Sequence, residues 1–292
     1  MTLAELMAQG CQMLQSSAVA LGQGTLEMAD EAAWLVLWRL GLPLDTDFND
    51  VALQTELSPT QIEHVQALIA QRIERRRPAA YLTQEAWLQG VSFYIDERAI
   101  VPRSLIAEVL ALQSIDFFLS PAPQRILDLC TGNGSLAVLA AMAYPDANIE
   151  GSDISTDALA VARINGERHG LSDRIQWRAV AGLTAPLGQY DLILCNPPYV
   201  NEHSMQQLPP EFLAEPRLAL AGGHDGMDFV RPLLAGAHRH LSPHGVLVLE
   251  IGHERDHFDA AFPWLSPIGL STSAGDDQVL LLDQQQLKQV PC

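Results

Sequence analysis

The sequence predicts an α/β fold in which helices cover a mostly parallel β-sheet that has an antiparallel strand at its edge. From Gln124 onward, strand-like apolar runs alternate with helical segments, as in repeated βα units. The last two strand-like runs flank the turn signal "AGDD", which favours a closing antiparallel hairpin. Residues 1–78 instead show helical patterns, so we expect a small N-terminal helical domain ahead of the sheet.

The N-terminal segment, residues 1–78, carries start and stop signals for helices. Asp30 can cap the segment "DEAAWLVLWRL" and Gly41 can end it. The segment "SPTQIEHVQALIAQRIERRR" has Ser58 as its N-cap and Gln61 at the third helical position, which is a capping-box pattern. We interpret its closing arginines as a helix C-terminus, where cations complement the helix dipole.

Residues 79–103 change character. Aromatic and β-branched residues around Gly90 predict two short strands, which would form a β-hairpin connector. The segment "SLIAEVLALQSIDFFL" that follows predicts an amphipathic helix capped by Ser104. The sheet domain is therefore expected to span residues 104–292.

The βα units of the sheet domain follow in order. The segments "RILDLC", "NIEGSDI", "IQWRAV", "DLILCN" and "GVLVLEIG" are predicted strands. Predicted helices lie between them at "GSLAVLAAMAY", at "STDALAVARINGERHG" with Ser155 or Thr156 as its cap, and at "DFVRPLLAGAHRHL". The final strands, near "PIGLSTS" and "QVLLLD", complete the sheet.

A glycine loop joins the first of these strands to its helix. Its candidate cofactor-binding residues are Asp128, Thr131, Gly132, Asn133 and Gly134. Glycine lets the backbone approach a ligand closely, and a helix N-terminus exposes N–H groups. Ala137 replaces the third glycine of the dinucleotide fingerprint, so the loop alone is a weak signal. Asp153 ends the next strand nineteen residues after Gly134 and can bind two ribose hydroxyls, so together they predict a nucleoside cofactor.

The stretch "YDLILCNPPYVNE" ends a buried strand with an asparagine, two prolines and a tyrosine. Pro197 and Pro198 have no backbone N–H, so the sheet ladder cannot continue through them. The Asn196 side chain and the Pro197 carbonyl offer two acceptors, which suit the two donors of an NH₂ group. Tyr199 can cover a planar group. A rigid strand-ending loop is the plainer alternative.

The charge balance argues against a nucleic-acid partner. The chain has 35 acidic and 17 basic residues, for a formal net charge of −18, and Lys288 is its only lysine. Proteins that bind nucleic acid usually present a basic face to phosphate. Direct binding of nucleic acid is therefore not expected.

Composition also bears on location and metals. No run of about 18 consecutive apolar residues predicts a membrane span, and the first basic residue is Arg39, unlike the start of a signal peptide. His253 and His257 have the spacing of a metal pair but no evident third ligand, so we predict no metal. We expect a cytoplasmic protein with reduced cysteines. The cysteines are Cys11, Cys130, Cys195, which is interpreted as a core thiol, and Cys292.

The order of these motifs resembles a known family. The pattern D-x-x-T-G-x-G, an acid on the next strand and "NPPY" resembles the S-adenosylmethionine-dependent amino methyltransferases, which have a Rossmann-like class I sheet. Within them, "RRPAAYLTQEAW", "FYIDERAIVPRSLIAE" and "EPRLALAGGHDGMDFVRPLL" resemble the protein-glutamine methyltransferases of the HemK/PrmC/PrmB group. The resemblance covers about residues 70–283. The tract "AWLQGVSFYIDERAIVPRS" is closer to the PrmB subgroup, which modifies the third protein of the large ribosomal subunit.

The resemblance implies S-adenosyl-L-methionine as the cofactor and, as the substrate, a glutamine side chain of a basic large-subunit ribosomal protein. It implies that Asn196, Pro197 and Tyr199 are catalytic and, with Pro198, bind the substrate. Asn196 and the Pro197 carbonyl would hold both amide protons and aim the nitrogen at the methyl group, without a metal or a dedicated general base. Arg103 of "PRSLIAE" and Asn196 join the glycine loop and the acid after it as implied cofactor-binding residues.

One departure from the family keeps alternatives open. Ala181 stands in "VAGL" where the family usually carries an acid, in a sequence like "SDLF". The alternatives are a release-factor glutamine methyltransferase, a nucleic-acid methyltransferase acting on an exocyclic amine of a flipped base, and a non-catalytic assembly protein. The retained motifs favour an active enzyme.

Overall fold

The computed structural model describes residues 1–46, 51–119, 121–184 and 188–290. The first part of the chain is helical, as predicted. Its helices are α1 (Leu3–Ser16), α2 (Met28–Leu40), α3 (Pro59–Arg75) and α4 (Ala79–Thr83). Their apolar faces share one buried cluster with the hairpin that follows, so burial of these faces stabilises the N-terminal helices together.

The ends of α2 and α3 test the predicted capping signals. Ser58 caps α3 and forms the predicted capping box with Gln61, and Gly41 ends α2 in the left-handed region with φ 68°. The predicted cap of α2 is wrong, because the helix begins at Met28 and Asp30 lies in its first turn. The methionine and alanine before Asp30 favour the helical state, and the carboxylate still complements the helix dipole there.

A β-hairpin follows the helices, as predicted. Its strands are β1 (Glu85–Leu88) and β2 (Val91–Tyr94), which pair antiparallel. Gly90 lies in the turn with φ 73°. The Asn165 side chain accepts the Tyr94 N–H at 2.7 Å and donates to the Tyr94 carbonyl at 3.0 Å. These bonds join the hairpin to the sheet domain.

The helix after the hairpin is shorter than predicted. It is α5 (Ile106–Ala111), and the chain then forms a 3₁₀ turn at Asp116–Phe118. The helix ends because Gln113 adopts a left-handed φ of 51°. The predicted cap is wrong by one residue, because Leu105 occupies the N-cap position. The hydroxyl of Ser104, one residue earlier, still accepts the Ile106 N–H at 3.2 Å.

The remaining strands form a seven-stranded sheet. They are β3 (Arg125–Leu129), β4 (Asn148–Asp153), β5 (Ile175–Ala179), β6 (Tyr190–Cys195), β7 (Leu241–Glu250), β8 (Ile268–Gly269) and β9 (Val279–Asp283). Their order is β5-β4-β3-β6-β7-β9-β8. Strands β3 to β7 are parallel, whereas β9 is antiparallel to β7 and to the short β8 outside it. The predicted fold class is confirmed.

The sheet positions a crevice. The strand order runs outward in both directions from β3 and β6, and ligands bind at such a reversal, beyond the carboxyl ends of the strands. Leu129, the last residue of β3, pairs with Cys195, the last residue of β6. The glycine loop and the NPPY turn therefore leave the sheet side by side and at the same level.

Helices cover both faces of the sheet. They are α6 (Ser135–Ala143), α7 (Thr156–Arg168), α10 (Val230–Ala237), α11 (Arg255–Ala261) and α12 (Gln284–Leu287). The short helices α8 (Glu202–Gln207) and α9 (Pro210–Leu213) lie in the connection between β6 and α10. Alternate strand residues enter different cores: Ile126 packs in the cluster with α5 and α6, whereas Leu127 packs with α10, α11 and α12. The predicted cap Ser155 precedes α7 and accepts the Ala158 N–H.

Three further observations concern location and metals. None of the helices in the described ranges is long and apolar enough to cross a membrane. Cys11, Cys130 and Cys195 are free thiols; Cys195 is fully buried, as predicted for a core thiol, and Cys292 lies outside the described residues. Within the same ranges, no three His, Cys, Asp or Glu side chains group as a metal site would require.

Candidate active site

A cavity of about 610 Å³ opens at the crevice between β3 and β6. Its walls include residues 130–133 of the glycine loop, 153–155 at the end of β4, 180–184 after β5 and 196–200 of the NPPY turn. The volume lies within the usual range of small-molecule sites. The structure thus brings the predicted cofactor loop and the predicted amide receptor to one cavity.

Asp128 supports the glycine loop from beneath. Its Oδ2 accepts the Ala137 N–H at 2.9 Å, in the first turn of α6, and the Thr131 hydroxyl. Its Oδ1 has no partner in the described part of the chain, and burial raises the pKa of Asp128 to about 7. Thr131 lines the cavity whereas Asp128 does not, so Asp128 acts on the loop's shape.

Asn133 fixes the other side of the loop. Its side chain donates to the Ile100 carbonyl at 2.7 Å and accepts the Ser135 N–H at 2.9 Å. These bonds connect the loop to the start of α6 and to the segment after the hairpin. Asn133 lines the cavity, but its side-chain amide is already engaged on both sides.

Asp153 closes the loop from the neighbouring strand. Its Oδ2 accepts the Gly132 N–H at 2.9 Å, and its Oδ1 accepts the Ser155 N–H at 2.8 Å. Burial raises the pKa of Asp153. The carboxylate lines the cavity, and each oxygen keeps a lone pair that a ribose hydroxyl can reach.

Trp177 on β5 is a residue that the sequence reasoning missed. A Cβ placed on Gly134 would lie 2.8 Å from the indole, and one on Gly151 would lie 2.5 Å from it. Gly166 of α7 also faces the indole, at 3.2 Å. The signal was available: a glycine inside a strand and another inside a helix often mark a close approach of another group.

The NPPY turn leaves its acceptors free. Among the described residues, neither the Asn196 side chain nor the Pro197 carbonyl has a hydrogen-bond partner. Asn196 is half-buried, Pro197 is buried, and both line the cavity with Pro198. Two acceptors at the end of a buried strand therefore face a space that a ligand can fill.

Tyr199 is fixed by what surrounds it. A Cβ on Gly222 would lie 2.7 Å from the Tyr199 backbone, and one on Gly252 would collide with the ring. The Tyr199 hydroxyl donates to Glu250 Oε1 at 3.2 Å. Tyr199 lines the cavity, and its role in covering a planar group stays a prediction. Glu250 was missed, although an acid ending an apolar strand at this edge of the sheet is a signal.

Arg103, a predicted cofactor-binding residue, also lines the cavity. Its guanidinium donates to the Glu215 carboxylate at 2.7 and 2.8 Å and stacks over the Phe212 ring at 5.5 Å. At Ala181, where an acid was expected, the backbone carbonyl accepts the Thr184 hydroxyl at 2.6 Å. The Arg103 guanidinium is thus paired with a buried carboxylate that is not part of the cavity lining.

The fold and the cavity define a Rossmann-like methyltransferase, and the family model described as the methyltransferase small domain matches residues 112–225. A ribosomal protein uL3 glutamine methyltransferase of Bordetella pertussis is 50% identical over 98% of this chain and 96% of its own length. One from Burkholderia pseudomallei is 45% identical over 99% and 96%. The chain belongs to the ribosomal protein uL3 glutamine methyltransferase family, which confirms the resemblance.

A solved structure shows the same fold at greater distance. The hMettl16 catalytic domain, determined in complex with MAT2A 3′UTR hairpin 6, has a TM-score of 0.52. It is 12% identical, and the match covers 80% of this chain and 85% of that chain. At that identity the likeness supports the fold alone.

Proposed function

We propose that this protein transfers a methyl group from S-adenosylmethionine to the side-chain amide nitrogen of a glutamine in ribosomal protein uL3. The observation that carries the proposal is the pair of unpartnered acceptors, Asn196 and the Pro197 carbonyl, in the same cavity as the glycine loop. The names of the full-length relatives support uL3 as the acceptor.

The residues of the cavity fit the proposed cofactor. The Asp153 carboxylate suits the ribose hydroxyls, because its outward lone pairs can accept both of them. Apolar side chains at the neighbouring wall, including Ile154, Leu183 and Phe229, suit the flat faces of adenine. When bound, S-adenosylmethionine supplies an electrophilic methyl group on a sulfonium that leaves as a neutral thioether.

The NPPY turn addresses the weak nucleophilicity of an amide nitrogen. The amide lone pair is delocalised into the carbonyl, so the nitrogen needs orientation and stabilisation of the charge that develops on it. Asn196 and the Pro197 carbonyl would each accept a hydrogen bond from one N–H of the substrate amide. They would thereby point the nitrogen lone pair at the methyl group and stabilise the positive charge that develops on the nitrogen. The nitrogen then loses one proton to water as the methylated amide forms.

The N-terminal domain, residues 1–78, is proposed to help recognise the substrate protein. Arg72 of α3 and Arg76, the residue that follows the helix, both contact Glu211 of α9, at 3.2 and 2.5 Å. Arg72 and Glu211 are almost fully buried, and the next residue, Phe212, lines the cavity. The helical domain is thereby joined to the cavity wall beside the NPPY turn. A ribosomal substrate also favours a cytoplasmic location.

A methyl-transfer assay tests the proposal with four acceptors: purified uL3, intact large subunits, naked RNA and release factor. We expect radiolabel on uL3, and a mass increase of one methyl group on one glutamine peptide. The Asn196→Ala variant serves as the control for a contaminating enzyme. Labelling of release factor instead would move the acceptor to the sister subgroup, and labelling of RNA would overturn the protein-substrate assignment.

A further inference from the structure

We infer that the buried carboxylate of Glu250 is a positioning residue that holds the NPPY turn through the Tyr199 hydroxyl, an inference that rests on the proposed function. Glu250 is the last residue of β7 and is 3% exposed. Strand β7 lies directly beside β6, the strand that leads into the turn. The carboxylate thus sits at the sheet edge where the reaction is proposed to occur.

The hydrogen bonds of Glu250 join two walls of the cavity. Its Oε1 accepts the Tyr199 hydroxyl at 3.2 Å, and its Oε2 accepts the Ser104 hydroxyl at 2.5 Å and the Leu105 N–H at 2.9 Å. Tyr199 and Ser104 both line the cavity, and Ser104 follows Arg103 in the chain. One carboxylate therefore sets the distance between the NPPY turn and the segment that carries Arg103.

The position of Tyr199 is determined from two sides. The hydroxyl is held by Glu250, and the ring packs on the backbone of Gly252, which has φ 53° and no room for a Cβ. Only two residues separate Tyr199 from Asn196, and both are prolines with restricted φ. A displacement of the tyrosine would therefore be transmitted to the Asn196 amide rather than absorbed by the turn.

Burial of the Glu250 carboxylate has an energetic cost. A buried charged carboxylate destabilises the fold unless hydrogen-bond donors surround it, and burial raises the pKa of Glu250 despite its three donors. An apolar side chain would pack there without that penalty. The presence of a carboxylate here is explained by its hydrogen bonds, since one of its donors, the Tyr199 hydroxyl, belongs to the turn that is proposed to receive the substrate.

A double-mutant cycle tests the inference. The variants are Tyr199→Phe, Glu250→Gln and both together, assayed for kcat and KM with uL3, for cofactor affinity by calorimetry and for thermal unfolding. We expect each single change to lower kcat about tenfold, with cofactor affinity within about twofold. Because Glu250 would act through Tyr199, the double variant should be no slower than the slower single variant. Multiplying effects would overturn the inference.

Hydrogen exchange supplies a readout that does not depend on the acceptor. The Val200 N–H donates to the Leu220 carbonyl at 2.9 Å, just after the tyrosine. In cofactor-free protein, Tyr199→Phe should speed exchange of this amide several-fold, and unchanged exchange would overturn the inference. If Glu250→Gln does not fold, Tyr199→Phe alone decides, since a kcat near that of the wild type would contradict it. A wild-type protein that fails to methylate uL3 while exchange responds would refute only the proposed function.

Discussion

The glycine loop and the NPPY turn lie side by side but are held in different ways. In the loop, polar side chains bond to the loop itself: Asp128 holds Thr131, and Asp153 holds the Gly132 N–H. In the turn, the Asn196 side chain makes no hydrogen bond to any described residue. The loop is held by hydrogen bonds from polar side chains, including those of Asp128 on β3 and Asp153 on β4, whereas the residues that hold the turn leave its acceptors free.

Because of this difference, we expect substitution of a polar side chain to have different effects in the loop and in the turn. A polar side chain in the loop contributes to folding and to binding together, because it satisfies buried backbone groups. We expect the free amide of the turn to contribute very little to the folded state and much more to the reaction. Functional sites commonly keep such unsatisfied groups at a cost in stability.

The largest expected effect is on turnover in the Asn196→Ala variant. Loss of a preorganised acceptor typically lowers kcat by on the order of a hundredfold. The free energy of unfolding should change little, because the Asn196 side chain bonds to nothing in the described chain. Steady-state kinetics and denaturation measure the two quantities.

Asn133→Ala is the matched control, since it removes the same amide from the loop. Asn133 satisfies the Ile100 carbonyl and the Ser135 N–H, so this variant should lose about 1–3 kcal/mol of unfolding free energy. Equal destabilisation in both asparagine variants would break the comparison. So would turnover near the wild-type rate in Asn196→Ala.

The next effect concerns the loop's acid. Asp153→Ala should weaken cofactor binding by about 1.5–3 kcal/mol, the usual value of a hydrogen bond to a charged group, and should also lower stability, because Gly132 and Ser155 lose their acceptor. Calorimetry with S-adenosylhomocysteine measures the first. Asp157→Ala removes an exposed acid four residues on and should leave affinity unchanged; unchanged affinity in Asp153→Ala would remove it from the site.

The parts of the site that consist of short contiguous motifs could be predicted from the sequence. The glycine loop, Asp153 and "NPPY" follow strand ends, and strand ends are recognisable from apolar runs followed by turn residues. The sheet followed from the same alternation. Ala181 departs from the pattern that these motifs belong to, because the family usually carries an acid there.

The missed residues act across long separations in the chain. Glu250 receives the hydroxyl of Ser104, 146 residues earlier, and Arg103 pairs with Glu215, 112 residues later. Local patterns carry no information about which acid meets which base. The shortened α5 has a related cause, because a left-handed Gln113 is not encoded by a glycine or proline that could have signalled it.

A third prediction separates the two reasons for glycine in the loop. Gly134 has φ 82° and a Cβ there would lie 2.8 Å from Trp177 and 2.9 Å from Ala162. Gly170 has φ 66° with open space around it. Both alanine variants carry backbone strain, but only Gly134→Ala is also overpacked. The unfolding free energy, measured by urea denaturation, should fall by about 1–3 kcal/mol more in Gly134→Ala than in Gly170→Ala. Equal losses would show that the Trp177 side chain moves to make room.

The smallest expected effect distinguishes the NPPY turn from the glycine loop by how their ligands respond to salt. A chain with a formal net charge of −18 attracts a basic protein over a distance that ions screen, with a Debye length of about 10 Å at 0.1 M. The value of kcat/KM for uL3 should therefore fall several-fold as salt rises from about 0.05 to 0.3 M. Cofactor affinity depends on short contacts with the loop and should change less.

A neutral glutamine peptide is the control acceptor, because its slower methylation should not depend on salt. Equal salt dependence for uL3 and the peptide would show that net charge does not guide the substrate to the NPPY turn.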